Sequence, residues 1–600
     1  MKKFLKVLLS IALVACFVLG AVACNKDDSS SDSGSSSTGG SSTKPKPTGD
    51  PITITVYTAV NIVEQNALNA VATAYSDLKY QEGKDITVVI NNKTDPNAYM
   101  QNVKTMAGST VSAPTIVSTS FIPEYYGTDK IVDLTEYLEE DNPYMEGSGV
   151  WKDGLEEDAY RTKVSGSSAT IPGLSYSSNY LAVFYNKKAM LDVMGGDPIV
   201  AKDGTIDNSK ITWEWLLKAL KTAKESGKNF ANPLGLSTEQ ASCGEDSFNM
   251  ISHLINMYLD QYYRDFIEDV HSVEGDYSYI ESLDSAWTYS STDATVDSVE
   301  KYTYNLNKVI DLYFNQTGYN PESERYAEVM ENLYDLLQYS DPTAPYSEVF
   351  SRFNETTLVY ENNNTTYKDM KLFYVEALDY VRTYRDAFKT QAEGGKTVYP
   401  DTAKITSQLG WFLMPAMQSE LEGVADNVRS FGGPAENFGV LKSTKASDNK
   451  AAIDFLKYLF SPTGQQAIYS SYKSANNAPI TMRQLVKNVE IPAVIDCTEF
   501  ITTDGDCSNS PYVIFAKGSG MELATVGTTN EKVNETVAKT LSDYFRGSTK
   551  NWTATGRSVF NTIKSGFASY ANNKSLIFTD FSKVAEVTAN LKNSPFNTSD

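Results

Sequence analysis

The chain has 600 residues, enough for more than one hydrophobic core. Its net charge of −23 sets it against the polyanions that basic proteins bind, which excludes nucleic acid and an anionic bilayer face as direct partners. With only two histidines, and with H-E-x-x-H, G-x-S-x-G and G-x-G-x-x-G all absent, the common signatures of zinc peptidases, serine hydrolases and dinucleotide enzymes are missing.

Lys2, Lys3 and Lys6 open the chain and lead into an apolar run from Leu8 to Leu19, which is short for a bilayer span. Ala21-Val22-Ala23 supplies the small residues a signal peptidase needs, and Cys24 follows at once. This order resembles a bacterial lipobox, with Ala21 where Leu is commoner. It predicts a leader over 1–23 and lipidation of Cys24, with several acyl chains making the anchor stable. Asn25 to Asp50 is almost wholly Ser, Gly, Thr, Asp, Lys and Pro. The predicted tether, 24–50, buries nothing and has a root-mean-square span of about 30 Å. No later apolar run reaches transmembrane length.

The folded part begins with Ile52 to Tyr57, an alternating strand pattern. Val63, Ala67, Val71, Ala74 and Leu78 then recur at helical spacing. Ile86 to Ile90 predicts a second strand, Tyr99 to Met106 a short helix, and Pro114 to Thr119 a third strand. Strands alternating with helices imply a parallel α/β sheet, and ligands of such sheets bind beyond the carboxyl ends of the strands. Residues 240 to 350 read as largely helical and rich in Tyr and acid.

Chemistry-bearing residues are sparse along this path. His253 lies among Phe248, Ile251, Leu254, Ile255 and Tyr258 and reads as a helix packing residue. Gly394-Gly395-Lys396-Thr397 ends like a phosphate loop, but Thr390 occupies the position of the required first glycine. Cys243, Cys497 and Cys507 do not form a metal pattern; Cys497 and Cys507 could close a short disulfide loop or remain thiols. No metal and no cofactor are expected. Glu139-Glu140 and Glu156-Glu157 leave a glycan-acting enzyme open, since a glycosidase needs two carboxylates close in space. Against this, 38 Tyr, 25 Phe and 6 Trp supply many rings, and Tyr suits half-wet walls on which sugar C–H faces stack. Most of these tyrosines are expected to pack helices.

Ala113-Pro114-Thr115-Ile116-Val117 with Tyr125 and Tyr126, then Lys130 to Thr135, and Ile171-Pro172-Gly173-Leu174 with Leu181 to Lys188 resemble segments of the extracellular solute-binding proteins of the maltose-binding type. Thr212-Trp213-Glu214-Trp215-Leu216-Leu217 is similar to the family's helix start, with Thr212 as a sensible N-cap. Phe350 to Tyr360 is similar to its return strand, with Asn354 replacing a glycine. Lys450 to Gln465 resembles its amphipathic helix ending in Ser-Pro-x-Gly-Gln, where Pro462 is the expected stop.

The resemblance implies two α/β lobes of the periplasmic-binding-protein-like type, hinge crossovers, and a ligand between the lobes. The expected division is 51–175 first lobe, 176–349 second lobe with a helical insertion, 350–430 first-lobe return, and 431–600 second-lobe return with a C-terminal extension. The implied function is extracytoplasmic capture of a neutral oligosaccharide by a monomer, followed by delivery to the permease subunits of an ATP-binding-cassette importer. A surface glycan-capture protein without an importer is the other binding reading. Candidate ligand residues are Tyr57, Asn61 and Glu64 past the first strand, and Thr119, Ser120, Glu124 and Tyr125 past the third. Tyr176 and Tyr180 lie at the first crossover, with Trp287, Trp411 and Trp552 as further ring platforms. Trp213 and Trp215 read as helix packing, and Trp151 is left open.

Overall fold

The computed structural model describes Pro47 and residues 49–570, apart from 94, 123–124, 146, 148, 161–162, 166–167, 237–249, 277–278, 294–301, 304–319 (where 305, 308 and 312 are described), 342–343, 345, 364–368, 392–396, 431–432, 435–436, 499–509, 511–512 and 516–530. Cys24 and the tether up to residue 46, Glu124, Cys243 and Cys507 therefore lie outside the described residues.

Strand β1 (Ile52–Thr58) alternates in burial, with Ile54, Val56 and Thr58 turned inward. Helix α1 (Ile62–Gln81) starts on a capping box: Asn61 Oδ1 accepts from the Val63 and Glu64 amides, and Glu64 reaches back to the Asn61 amide. Its buried stripe, Ala67, Leu68, Val71, Ala72 and Tyr75, keeps helical spacing. Strand β2 (Ile86–Asn92), helix α2 (Pro96–Ala107) and strand β3 (Thr115–Ser118) complete the first alternation.

The chain leaves through β4 (Ser177–Asn179) into β5 (Leu181–Asn186), buried along its whole length. Helix α3 (Trp213–Glu225) follows, capped by the Thr212 hydroxyl, which accepts from the Trp215 amide at 3.1 Å. Both Trp213 and Trp215 are buried. Next come β6 (Leu234–Gly235), α4 (Met250–Tyr263), α5 (Glu324–Leu337), β7 (Phe373–Ala377), α6 (Tyr380–Ala387), β8 (Leu409–Phe412) and β9 (Val428–Ser430). After β10 (Gly433–Pro434) the chain forms β11 (Phe438–Leu441), α7 (Ala446–Leu459), α8 (Pro462–Ser474) and β12 (Arg483–Gln484). The last described elements are β13 (Val513–Phe515), α9 (Glu531–Arg546) and α10 (Thr553–Tyr570).

Two four-stranded sheets result. One has the order β11-β3-β1-β2, with β1 parallel to β2 and β3 and β11 antiparallel to β3. The other has the order β8-β5-β7-β6, antiparallel except for β6 with β7. A small sheet, β10-β4-β12, stands where the chain crosses between them. Each large sheet has its own core. Ile54, Val71, Trp151, Phe438, Phe455 and Ile480 belong to the first, and Phe184, Trp213, Tyr258, Tyr374, Trp411 and Trp552 to the second. The chain passes from one core to the other near residues 175–180, 430–437 and 496–498. This is a two-lobed α/β fold.

The expected division of the second half is corrected by these pairings. Residues 350–430 lie in the second lobe, because β7 and β8 both pair with β5. Residues 438–495 return to the first lobe, where β11 pairs with β3. Phe350 to Tyr360 is part of a helix, Tyr346–Asn362, rather than a return strand. Its buried residues, Val349, Phe353, Thr356 and Thr357, recur at three to four residues, which is helical spacing. Pro462 does not merely stop α7; it occupies the first turn of α8, where a missing amide hydrogen costs nothing, with the Ser461 hydroxyl as N-cap. The C-terminal helices pack back on the second lobe: Trp552 stacks on Tyr326 of α5, and the Tyr334 hydroxyl donates to the Gly547 carbonyl.

In the first lobe, Asp454 of α7 accepts from Tyr75 (2.7 Å), Tyr144 (2.9 Å) and Lys79 (2.8 Å). Burial pushes its carboxyl up, but Lys79 and the two hydroxyls outweigh burial and hold it below the ordinary value. These bonds tie α1 to a helix some 380 residues later in the chain.

Candidate functional site

The register places the first-lobe candidates at one sheet end. Val56 is level with Ile116, and Ser118 is level with Phe438, so Thr119 and Asn437 emerge side by side with Tyr57 two residues back on the neighbouring strand. Tyr99 locks two of these ends: its hydroxyl donates to the Tyr57 carbonyl and accepts from the Ser118 amide, each at 2.9 Å. Gly439 is required here, because a Cβ would lie 2.1 Å from the Pro172 carbonyl oxygen.

Tyr57 and Tyr125 are half-buried against a small cluster around Tyr99 and Val103, and Ser120 is exposed. Thr119 is buried, its amide donating to the Asn437 carbonyl and its carbonyl accepting from Tyr126. Tyr176 is half-buried and stacks on Phe438, with centroids 5.9 Å apart and an 18° tilt. The structure thus brings Tyr57, Ser120, Tyr125 and Tyr176 to the crossing end of the first sheet. It separates them from Tyr180, which is 3% exposed and packed in the second core.

Asn61 and Glu64 stand at the same end but are already engaged. Asn61 caps α1, and its Nδ2 donates to Glu64 Oε2 at 2.6 Å. Glu64 Oε1 meets the Arg382 guanidinium of α6, from the second lobe, at 3.6 Å. Burial is the strongest influence on Glu64 and pushes its carboxyl above the ordinary value, against the pull of Arg382. Arg382 carried no signal in the sequence: it lies in no motif, and its partner is more than 300 residues away.

Two of the three Trp candidates are core residues. Trp411 is 2% exposed on an outer strand of the second sheet, and Trp552 is 1% exposed with its indole N–H donating to the Pro321 carbonyl. Neither ring presents a face outward, so the expectation of platforms there is corrected. A tryptophan before a proline or after a polar turn looks accessible in sequence, while tertiary packing decides whether it is. Trp287 is half-buried, with His271 at 4.5 Å and Tyr302 at 4.6 Å between ring centroids. Burial pushes the His271 imidazole below its ordinary value, although Asp284 pulls the other way. Trp151 is fully buried in the first core.

The second lobe also holds a charge cluster that sequence reading missed. Asp260 of α4 accepts from Arg429 of β9, with Nε at 2.9 Å, and from Arg264 at 3.2 Å. All three side chains are below a tenth exposed. Arg264 also donates to the Asn427 side chain at 2.7 Å and to the Ser291 carbonyl. Burial pushes Asp260 up, and the two guanidinium groups more than offset it.

Among the described residues, no group of three or more His, Cys, Asp or Glu is placed to hold a metal. Cys497 is buried, its sulfur 3.7 Å from the Thr402 hydroxyl. No described helix is long and apolar enough to cross a membrane.

Two α/β lobes, chain crossings between them and a set of half-exposed aromatic rings at the crossing end of the first sheet make up the architecture. No protein-family model and no curated protein matches the chain. Solved structures similar to it include a family 1 extracellular solute-binding protein from Bifidobacterium longum subsp. infantis, at 13% identity over 86% of this chain and 100% of that one, with a TM-score of 0.47. A cyclic alpha-maltosyl-1,6-maltose binding protein from Arthrobacter globiformis is 13% identical over 86% of this chain and 99% of that one, with a TM-score of 0.48. The GacH receptor of Streptomyces glaucescens GLA.O is 14% identical over 86% and 99% of the two chains, also with a TM-score of 0.48.

Proposed function

We propose that this chain is a lipid-anchored, extracytoplasmic binding protein that captures a neutral oligosaccharide between its lobes and delivers it to an ATP-binding-cassette importer. The observation that carries the ligand reading is the grouping of Tyr57, Ser120, Tyr125 and Tyr176 at the crossing end of the first sheet. Half-buried rings offer apolar faces to sugar C–H groups, and hydroxyls and backbone groups at the strand ends offer hydrogen bonds. Of the two arginines at the crossing, Arg382 already faces Glu64 and Asp379 and Arg385 donates to the Pro400 and Asn477 carbonyls, so an anionic ligand gains little from either.

A melting-temperature screen of the full chain against neutral oligosaccharides, uronic acids, amino acids and peptides tests this. Binding stabilises by mass action, so melting should rise with concentration of a neutral glycan. Tyr57→Ala should weaken that glycan by roughly 2 kcal/mol, the truncation cost of an aromatic anchor. The glycan should return unhydrolysed. A response confined to amino acids, peptides or uronic acids would overturn the sugar reading.

The anchor rests on Cys24 and the small residues before it. Cys24→Ala should move the protein from the salt-washed membrane fraction to the soluble fraction with unchanged melting, because the buried residues of both cores come from Ile54 onward. Persistence in the membrane pellet would refute lipidation.

A further inference from the structure

Glu64 and Arg382 belong to different lobes. Glu64 lies in the first turn of α1, packed on the first core, and Arg382 in the first turn of α6, packed on the second. Their side chains are only 14% and 17% exposed. Around them α6 makes further polar contacts with the first lobe. The Thr481 hydroxyl donates to Asp379 Oδ1 at 3.2 Å, and Arg385 donates to the Asn477 carbonyl. Tyr472 of α8, buried against the first core, sits beside the pair.

Two details make this contact asymmetric. Glu64 Oε2 is held by the Asn61 side chain, so the carboxylate is oriented before it meets Arg382 and little side-chain freedom is lost in the meeting. Arg382 has a second carboxylate, Asp379, three residues away on its own lobe. If the lobes part, Arg382 keeps Asp379 while its first-lobe contacts, Glu64 and Tyr472, are lost. The guanidinium is never stranded, and Glu64 becomes free to accept hydrogen bonds from whatever enters.

We propose that the Glu64–Arg382 pair is a latch between the lobes, with Arg382 as the positioning residue that holds the ligand-free protein in its closed arrangement. A partly desolvated pair is stronger than an exposed one but is rehydrated on opening, so it shifts the open-to-closed ratio by about tenfold rather than locking it. The latch lowers the cost of closing that a ligand must meet, because apparent affinity scales with the fraction already competent. It needs no ligand, and so stands or falls apart from the sugar reading.

The test is an interlobe distance distribution, measured by electron–electron resonance between spin labels at the exposed positions Asn69 and Lys221 of the full ligand-free chain. Glu64→Gln keeps an N3 side chain able to complete the capping box, so α1 stays intact. Glu64→Gln and Arg382→Gln should each raise the longer-distance population about tenfold relative to the shorter one. The double variant should be no more open than Arg382→Gln alone, since Glu64 acts across the lobes through Arg382. Unchanged distances in both singles, or additive opening in the double, would overturn the latch. Lowered melting with unchanged distances would mark the pair as structural only and also overturn it.

Discussion

Asp260→Ala is expected to destabilise the protein by about 3–5 kcal/mol in chemical denaturation, the cost of leaving buried guanidinium groups without their carboxylate. Asp260 is the anion shared by Arg264 and Arg429, and all three side chains are enclosed by α4, β9 and the segment around Ser291. Removing it leaves two buried like charges facing each other without their shared anion. A loss below 1 kcal/mol would show that the cluster is hydrated in solution. The sign of the pH dependence follows from the depressed carboxyl. Its folded value lies below the ordinary one of 3.8. The stabilisation is therefore complete above that ordinary value and is lost as pH falls through the folded value. Asp260→Asn should consequently show a flatter stability curve than wild type below about pH 4.

This cluster also marks where sequence reading stops. Strands β1, β2 and β3 were legible because Ile54 and Val56 alternate with polar neighbours and each strand is bounded by a turn or helix signal. Helices α1 and α3 were legible from their caps, Asn61 and Thr212, and from apolar stripes at helical spacing. The lobe assignment of residues 350–430 was not legible. β7 and β5 are adjacent in space although almost 190 residues separate them, and local pattern carries no information on pairing at that range. The Asp260–Arg429 and Glu64–Arg382 pairs fail for the same reason: charges far apart in the chain look like solvated surface until the fold brings them together.

The candidate site divides along a similar line. Topology located Tyr57 and Ser120, since ligands gather at carboxyl ends of parallel strands whatever the side chains are. Residue type alone selected Trp411 and Trp552, and residue type does not tell a platform from a core ring. Arg382 and Arg385 both face the first lobe at the crossing, and neither lies in a motif that the sequence could single out.

Trp411→Ala carries the second large expectation. The indole is 2% exposed and sits in the second core, where its strand pairs with β5 across Phe184. The Asn208 side chain donates to the Trp411 carbonyl at 3.3 Å, and that bond survives truncation because it uses the backbone. What is lost is ring volume, and large-to-small changes of an enclosed aromatic cost about 3–5 kcal/mol through transfer and cavity terms together. Among the described residues the indole N–H has no hydrogen-bond partner, so its removal leaves no described acceptor unpaired and the upper end of that range is not reached. The expected result is therefore about 3–4 kcal/mol less stability in chemical denaturation, near the lower end of the same range. The fraction that remains folded should bind its ligand as wild type does. Tyr57→Ala should show the reverse, with ligand affinity falling further than stability. If Trp411→Ala instead left stability intact and abolished binding, the ring would be a ligand platform reached by a lobe arrangement other than this one, and its place in the core would be the error.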